Sequence, residues 1–202
     1  MKIQFKPTLT MMDVDYFKTY VFPLGQPRAR SELIPQKGAI IYMNAPECIS
    51  IVRVCLLVAS EYGGVWDFTI LSEGSPGCWV GDLEPGSIEF AMVREGSPDS
   101  RNNPYILDVP ENPSPLIVNW LAGSRIKIVQ KYDYFDIIGT APAFVSLAHH
   151  FASLASNIYP SGTRICYEPG RDLVPDSLPL VIEKVDFPMD VPWARPPPSK
   201  KQ

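Results

Sequence analysis

Proline sets the terms for this chain. Twenty-two of its 202 residues are proline, spread from Pro7 to Pro198, about twice the usual share of roughly 5%. The proline ring fixes φ and removes a backbone donor, so it ends helices and is kept out of central strands. Spread this widely, prolines interrupt helical patterns and favour short strands joined by ordered loops. The stretch from Ile49 to Gly86 carries the strand pattern most densely. It reads ISIVRVCLLVAS, EYGG, VWDFTILS, EGSPG and CWVGDLEPG, apolar and β-branched runs parted by Gly, Pro and Ser. This pattern predicts adjacent antiparallel strands joined by tight turns, with Ser75-Pro76-Gly77 as one turn.

Taken in order, MKIQFKPTLT (1–10) alternates as an extended arm or edge strand, and Met12–Leu24 reads as a strand. Gly25–Lys37 is polar and reads as loop; Ala39–Met43 is a short buried strand. After the central run, Ser87–Arg94 is a strand. Glu95–Pro115 is a long proline-rich surface loop whose one apolar patch is Tyr105–Leu107. Leu116–Leu121, Arg125–Ile138, Thr163–Tyr167 and Leu180–Phe187 complete the expected strands. Ala143–Ile158 (AFVSLAHHFASLASNI) fits both a helix beginning near Pro142 and a strand, and stays open. No internal repeat is evident. Eight to ten short strands imply a sandwich or jelly roll rather than βαβ units.

Other features narrow the function classes. The net charge is −4, without the basic stripe of a free-standing nucleic-acid binder. Cys48, Cys55, Cys78 and Cys166 show no CxxC spacing and read as reduced core residues, which suggests a reducing compartment. The first thirty residues do not read as a signal peptide, and no apolar run is long enough to cross a membrane.

The chemistry is thin. His149 and His150 are the sole histidines. Adjacent positions diverge on a strand or a helix, so the pair reads as one core and one surface residue rather than a metal site. Cys166 lies mid-strand, outside the loop or helix-start settings that activate a thiolate. The pairs Asp133/Asp136 and Glu168/Asp172 read as charged rims rather than acid–base couples. No glycine pattern forms a phosphate cradle. No catalytic, cofactor-binding or metal-ligating residue is assigned. Trp66, Trp79 and Trp120 read as core or interface anchors, and Trp193, alone in the tail DVPWARPPP, as an interface anchor.

Three blocks carry a family resemblance. WDFTILSEGSPGCWVGDLEPG, PLIVNWLAGSRIKIVQKYDYF and FVSLAHHFASLASNIYPSGTRICYEPGRDL resemble, in layout, successive strands of the single jelly-roll coat proteins of picorna-like viruses, plant secovirids among them. The resemblance covers about residues 40–175. It implies an all-β fold, an eight-stranded antiparallel jelly-roll sandwich with extended proline-rich termini. Residues 1–24 would form an arm and first strand, 25–187 the sandwich and 188–202 the tail. It further implies a structural, non-enzymatic subunit of an icosahedral capsid. Gln202 would be a polyprotein cleavage end and the partners other capsid subunits, with weak contact to genomic RNA. The implied location is the virion, and the host cytoplasm during assembly. A lectin- or adhesin-like β-sandwich binding module is the competing expectation.

Overall fold

The longest apolar runs of the chain form helices. The computed structural model describes residues 2–5, 30–34, 38–60, 65–70, 88–100, 104–112, 115–116, 118–131 and 134–185. Helix α1 spans Ala45–Ala59 and α2 spans Ala141–Ala155. Each carries proline at its second residue, where the missing N–H has no helical acceptor to lose. After that proline neither contains Gly or Pro, and fifteen residues exceed the usual strand length. Burial then decides. From Ile51 to Ala59 every residue of α1 except Arg53 is buried, as is nearly all of α2. Covering one large apolar side chain contributes about 1.5–3 kcal/mol, against a few tenths lost for a β-branched residue in a helix. A helix apolar all round belongs in the core.

Ten strands accompany the helices among the described residues. In chain order they are β1 (Lys2–Phe5), β2 (Arg30–Ile34), β3 (Gly38–Met43), β4 (Val65–Ile70), β5 (Ile88–Glu95), β6 (Tyr105–Asp108), β7 (Ile126–Lys131), β8 (Tyr134–Thr140), β9 (Arg164–Tyr167) and β10 (Leu180–Lys184). One four-stranded sheet has the order β2-β3-β10-β9, the other β4-β5-β8-β7, and β1 pairs with β6 in a two-stranded ribbon. In each four-stranded sheet the central pair is parallel, β3 with β10 and β5 with β8, and the outer pairs are antiparallel. Alternate residues point inward: Ala39, Ile41 and Met43 from β3, Ile126 and Ile128 from β7, Leu180 and Ile182 from β10. They share one core with both helices. The ribbon adds Tyr105 and Leu107 to that core and leaves Ile106 exposed.

This arrangement corrects the expected all-β, eight-stranded antiparallel jelly roll. Two helices and two parallel strand pairs have no place in that fold. The run expected to open a central meander at Ile49 is α1, and the open segment 143–158 is mostly α2. Arg30–Ile34, expected as loop, is β2; the expected loop 95–115 contains β6. Arg125–Ile138, expected as one strand, folds back as the β7–β8 hairpin. In Leu116–Leu121, also expected as a strand, the described residues join no ladder. The expected strand 12–24, the Ser75-Pro76-Gly77 turn, Trp79 and the 188–202 tail lie outside the described residues.

Two details fix how the sheets are finished. Gly38 has φ +106°, and a Cβ there would stand 2.3 Å from the Pro179 carbonyl oxygen, which accepts from Ala39 N at 3.0 Å. Only glycine lets β3 approach the strand entering β10 this closely. The free edge of β7 is covered by the segment leading into β10. Val174 N donates to Ile126 O at 2.9 Å, Leu178 N to Ile128 O at 3.0 Å, and Ile128 N to Ser177 Oγ at 2.8 Å. An edge so covered offers no template for a further strand.

Candidate functional site

The described residues hold one buried polar constellation with ionisable chemistry on three elements: His150 on α2, Tyr167 on β9, and Asn119-Trp120 in the segment before β7. His150 is 3% exposed, whereas His149, one position before it, is half-buried. The expected division into a core and a more exposed histidine holds in that sense. His150 Nε2 lies 2.9 Å from the Asn119 carbonyl oxygen and Nδ1 lies 3.1 Å from Tyr167 Oη. A carbonyl can only accept, so Nε2 carries the proton and Nδ1 accepts from the Tyr167 hydroxyl. The ring is then neutral with both nitrogens engaged.

Trp120 closes the cluster. Its ring meets the His150 ring edge-on at 5.0 Å and lies 5.7 Å from that of Tyr167, the geometry aromatic quadrupoles favour. Its indole N–H is sealed from solvent without an acceptor among the described residues. Ser146, one turn before His150, holds the same segment. Leu121 N donates to Ser146 Oγ at 2.9 Å, and that hydroxyl donates to Pro142 O at 2.8 Å. Hydrogen bonds from α2 side chains thus do for residues 119–121 what a strand ladder would have done.

Electrostatics agrees with this geometry. Burial pushes the His150 pKa down to about 4, with His149 acting in the same direction; the Asn119 hydrogen bond and Asp172 oppose it. Burial also raises the Tyr167 phenol well above its ordinary value. Neither group ionises near neutrality. With Nδ1 occupied and Nε2–H committed to a carbonyl, His150 works as a cross-link joining α2, β9 and the 119–121 segment.

The other residues considered from sequence fall elsewhere. Cys48 and Cys55 are buried, and burial pushes the Cys55 thiol up; Cys166 is exposed on β9, correcting its assignment to the core. Asp136 is buried and paired with Lys131 at 2.5 Å. Glu168 and Asp172 both bind Arg171, at 3.0 and 2.7 Å, so they form a closed ionic knot on the surface. Among the described residues no group of three or more His, Cys, Asp or Glu could hold a metal ion, and no helix is long and apolar enough to cross a membrane. Cys78, Asp133, Trp193 and Gln202 lie outside the described residues, as does the side chain of Trp66 on β4. Comparisons with protein-family models, characterised proteins and solved structures return no match.

Sequence reading missed two buried or half-buried cations. Lys184 is 4% exposed, and its Nζ donates to the carbonyls of Ser156 (2.8 Å) and Tyr159 (2.7 Å), just past the end of α2. Arg94 Nη1 donates to Val58 O at 2.9 Å and to Ser60 O, at the end of α1. Each helix therefore ends on a cation, which suits the partial negative charge of its unsatisfied carbonyls. The signal was present in sequence as a basic residue near the end of an apolar strand.

Proposed function

We propose that this chain is a non-catalytic scaffold that works by associating with other macromolecules. The observation that carries the reading is how the buried polar side chains are used. His150, Lys184, Asp136 and Ser146 each hold two elements or segments together through hydrogen bonds or an ion pair. Such commitment favours a rigid body. The proline-rich tail with Trp193 adds a sequence of the kind that docks on partners, since tryptophan is among the commonest interface anchors. The coat-protein resemblance rested on a jelly-roll layout, and with that layout overturned the proposal names no shell.

Sedimentation of extract from the native source tests the reading. The chain is expected in a larger complex at a fixed ratio to other chains, and Trp193→Ala is expected to release it without unfolding the body. Sedimentation solely as a 22.5 kDa species would overturn it.

A further inference from the structure

The order of elements repeats. Three strands, a helix and two strands (β1-β2-β3-α1-β4-β5) are followed by three strands, a helix and two strands (β6-β7-β8-α2-β9-β10). Both helices have fifteen residues, and they start 96 positions apart (141 less 45). The strands before them, β3 and β8, also start 96 apart (134 less 38), as do β2 and β7 (126 less 30). Without gaps, this spacing matches Ala45 with Ala141, Pro46 with Pro142, Ser50 with Ser146, Ala59 with Ala155 and Ser60 with Ser156.

The parallel pairings extend the match. Ala39 faces Leu180 and its counterpart Phe135 faces Phe90, which makes Phe90 and Leu180 equivalent. Four residues on, Arg94 matches Lys184, and these two cations bind the carbonyls of the matched residues Ser60 and Ser156. The hairpins differ by one residue of register, because three residues separate β2 from β3 and two separate β7 from β8.

The halves are also interlaced. Each four-stranded sheet takes one strand pair from each half, the ribbon pairs β1 of one with β6 of the other, and α1 packs on α2. Every sheet is thus shared between halves across a pseudo-twofold relation. The sole covalent connection between the halves is residues 96–104, on which the described structure shows one backbone tie, Asp99 N to Ala59 O at 2.8 Å.

We propose that the chain is a fused pair of copies of one unit, and that the partner its inter-half surface fits is the complementary half of a second copy. Two chains can then exchange halves about residues 96–104 and give an intertwined dimer that keeps every inter-half contact. Exchange of identical elements costs little when only a hinge changes conformation. The inference does not depend on the association reading above, since its partner is this chain itself.

The test is refolding of the full chain at low and at high micromolar concentration. A stable species of twice 22.5 kDa by light scattering should grow with concentration. A variant lacking residues 97–103, which leaves two of the nine linking residues, should be wholly dimeric. Dimers made from isotopically heavy and light chains should keep their labels unmixed on dilution, whereas surface-stacked dimers would exchange them. A folded, monomeric deletion variant overturns the proposal, and so do dimers that exchange labels freely. Should the deletion variant not fold, a full chain with a protease site in place of residues 100–103 decides. After folding and cleavage its two fragments must migrate as one 22.5 kDa particle, and their separation overturns the proposal.

Discussion

The two halves end their helices in the same way and furnish their interiors differently. At matched positions Arg94 and Lys184 hold carbonyls at or just past the ends of α1 and α2, but Lys184 is buried and Arg94 only partly so. Six residues before Ser60 and Ser156 the halves diverge. The second half places His150 against Tyr167; by the same register the first half has Val54 and Phe68. The matched positions of the first half carry apolar residues, so the repeated unit does not call for polar ones there. What the second half gains is the tether to Asn119 and, through it, to Trp120.

The largest expected effect tests the shared feature. Lys184→Met should destabilise the fold by about 4 kcal/mol in denaturant titration, since two carbonyls lose charge-assisted hydrogen bonds. Arg94→Met, at the more exposed equivalent, should cost about 2 kcal/mol on the same scale. Equal costs would mean that burial does not distinguish the two ends.

The next effect tests the divergence. His150 has a folded pKa near 4 against an ordinary value of 6.5. Between those values the unfolded chain binds a proton that the native state refuses. Stability is therefore complete above pH 6.5 and falls as pH drops towards 4, by about 3 kcal/mol in all. Installing the first half's residues, His150→Val with Tyr167→Phe, should flatten that part of the stability–pH curve. An unchanged slope would assign the acid sensitivity to other groups.

Smaller effects follow at single hydrogen bonds and ion pairs. Ser146→Ala should cost about 1 kcal/mol and raise amide exchange at Leu121, whose N–H would lose its acceptor. Asp176→Asn, at an exposed pair with Lys127, should leave the melting temperature unchanged at moderate salt, as exposed ion pairs contribute little.

How much of this was legible in the sequence differs by element. Strands β3, β4, β5, β9 and β10 followed from short apolar alternation bounded by turn residues. Helix α1 did not, because Ile49, Ile51, Val52, Val54 and Val58 carry strand propensity that the core's enclosure overrides. Arg30–Ile34 looked polar, yet it forms a ladder because its partner β3 is strongly apolar. Conversely, LIVNWL looked like a strand, but its backbone is held by α2 side chains. The repeat escaped notice because the matched residues cluster at the helix ends and the strands keep a pattern rather than identities. At the candidate site a core histidine was readable from the His149-His150 pair. Its partner was not, since Tyr167 lies on another element and nothing local links the two.

The parallel pairing of β3 with β10 has a consequence for synthesis. Ala39 and Leu180 are 141 residues apart (180 less 39), so β3 emerges from the ribosome long before its neighbour exists. The face of α1 that packs on α2 must likewise wait uncovered until residues 141–155 appear. Contacts this remote in sequence form slowly, and exposed apolar surface invites aggregation meanwhile. Chaperone dependence during translation, rather than fragility once folded, is where this architecture is most vulnerable.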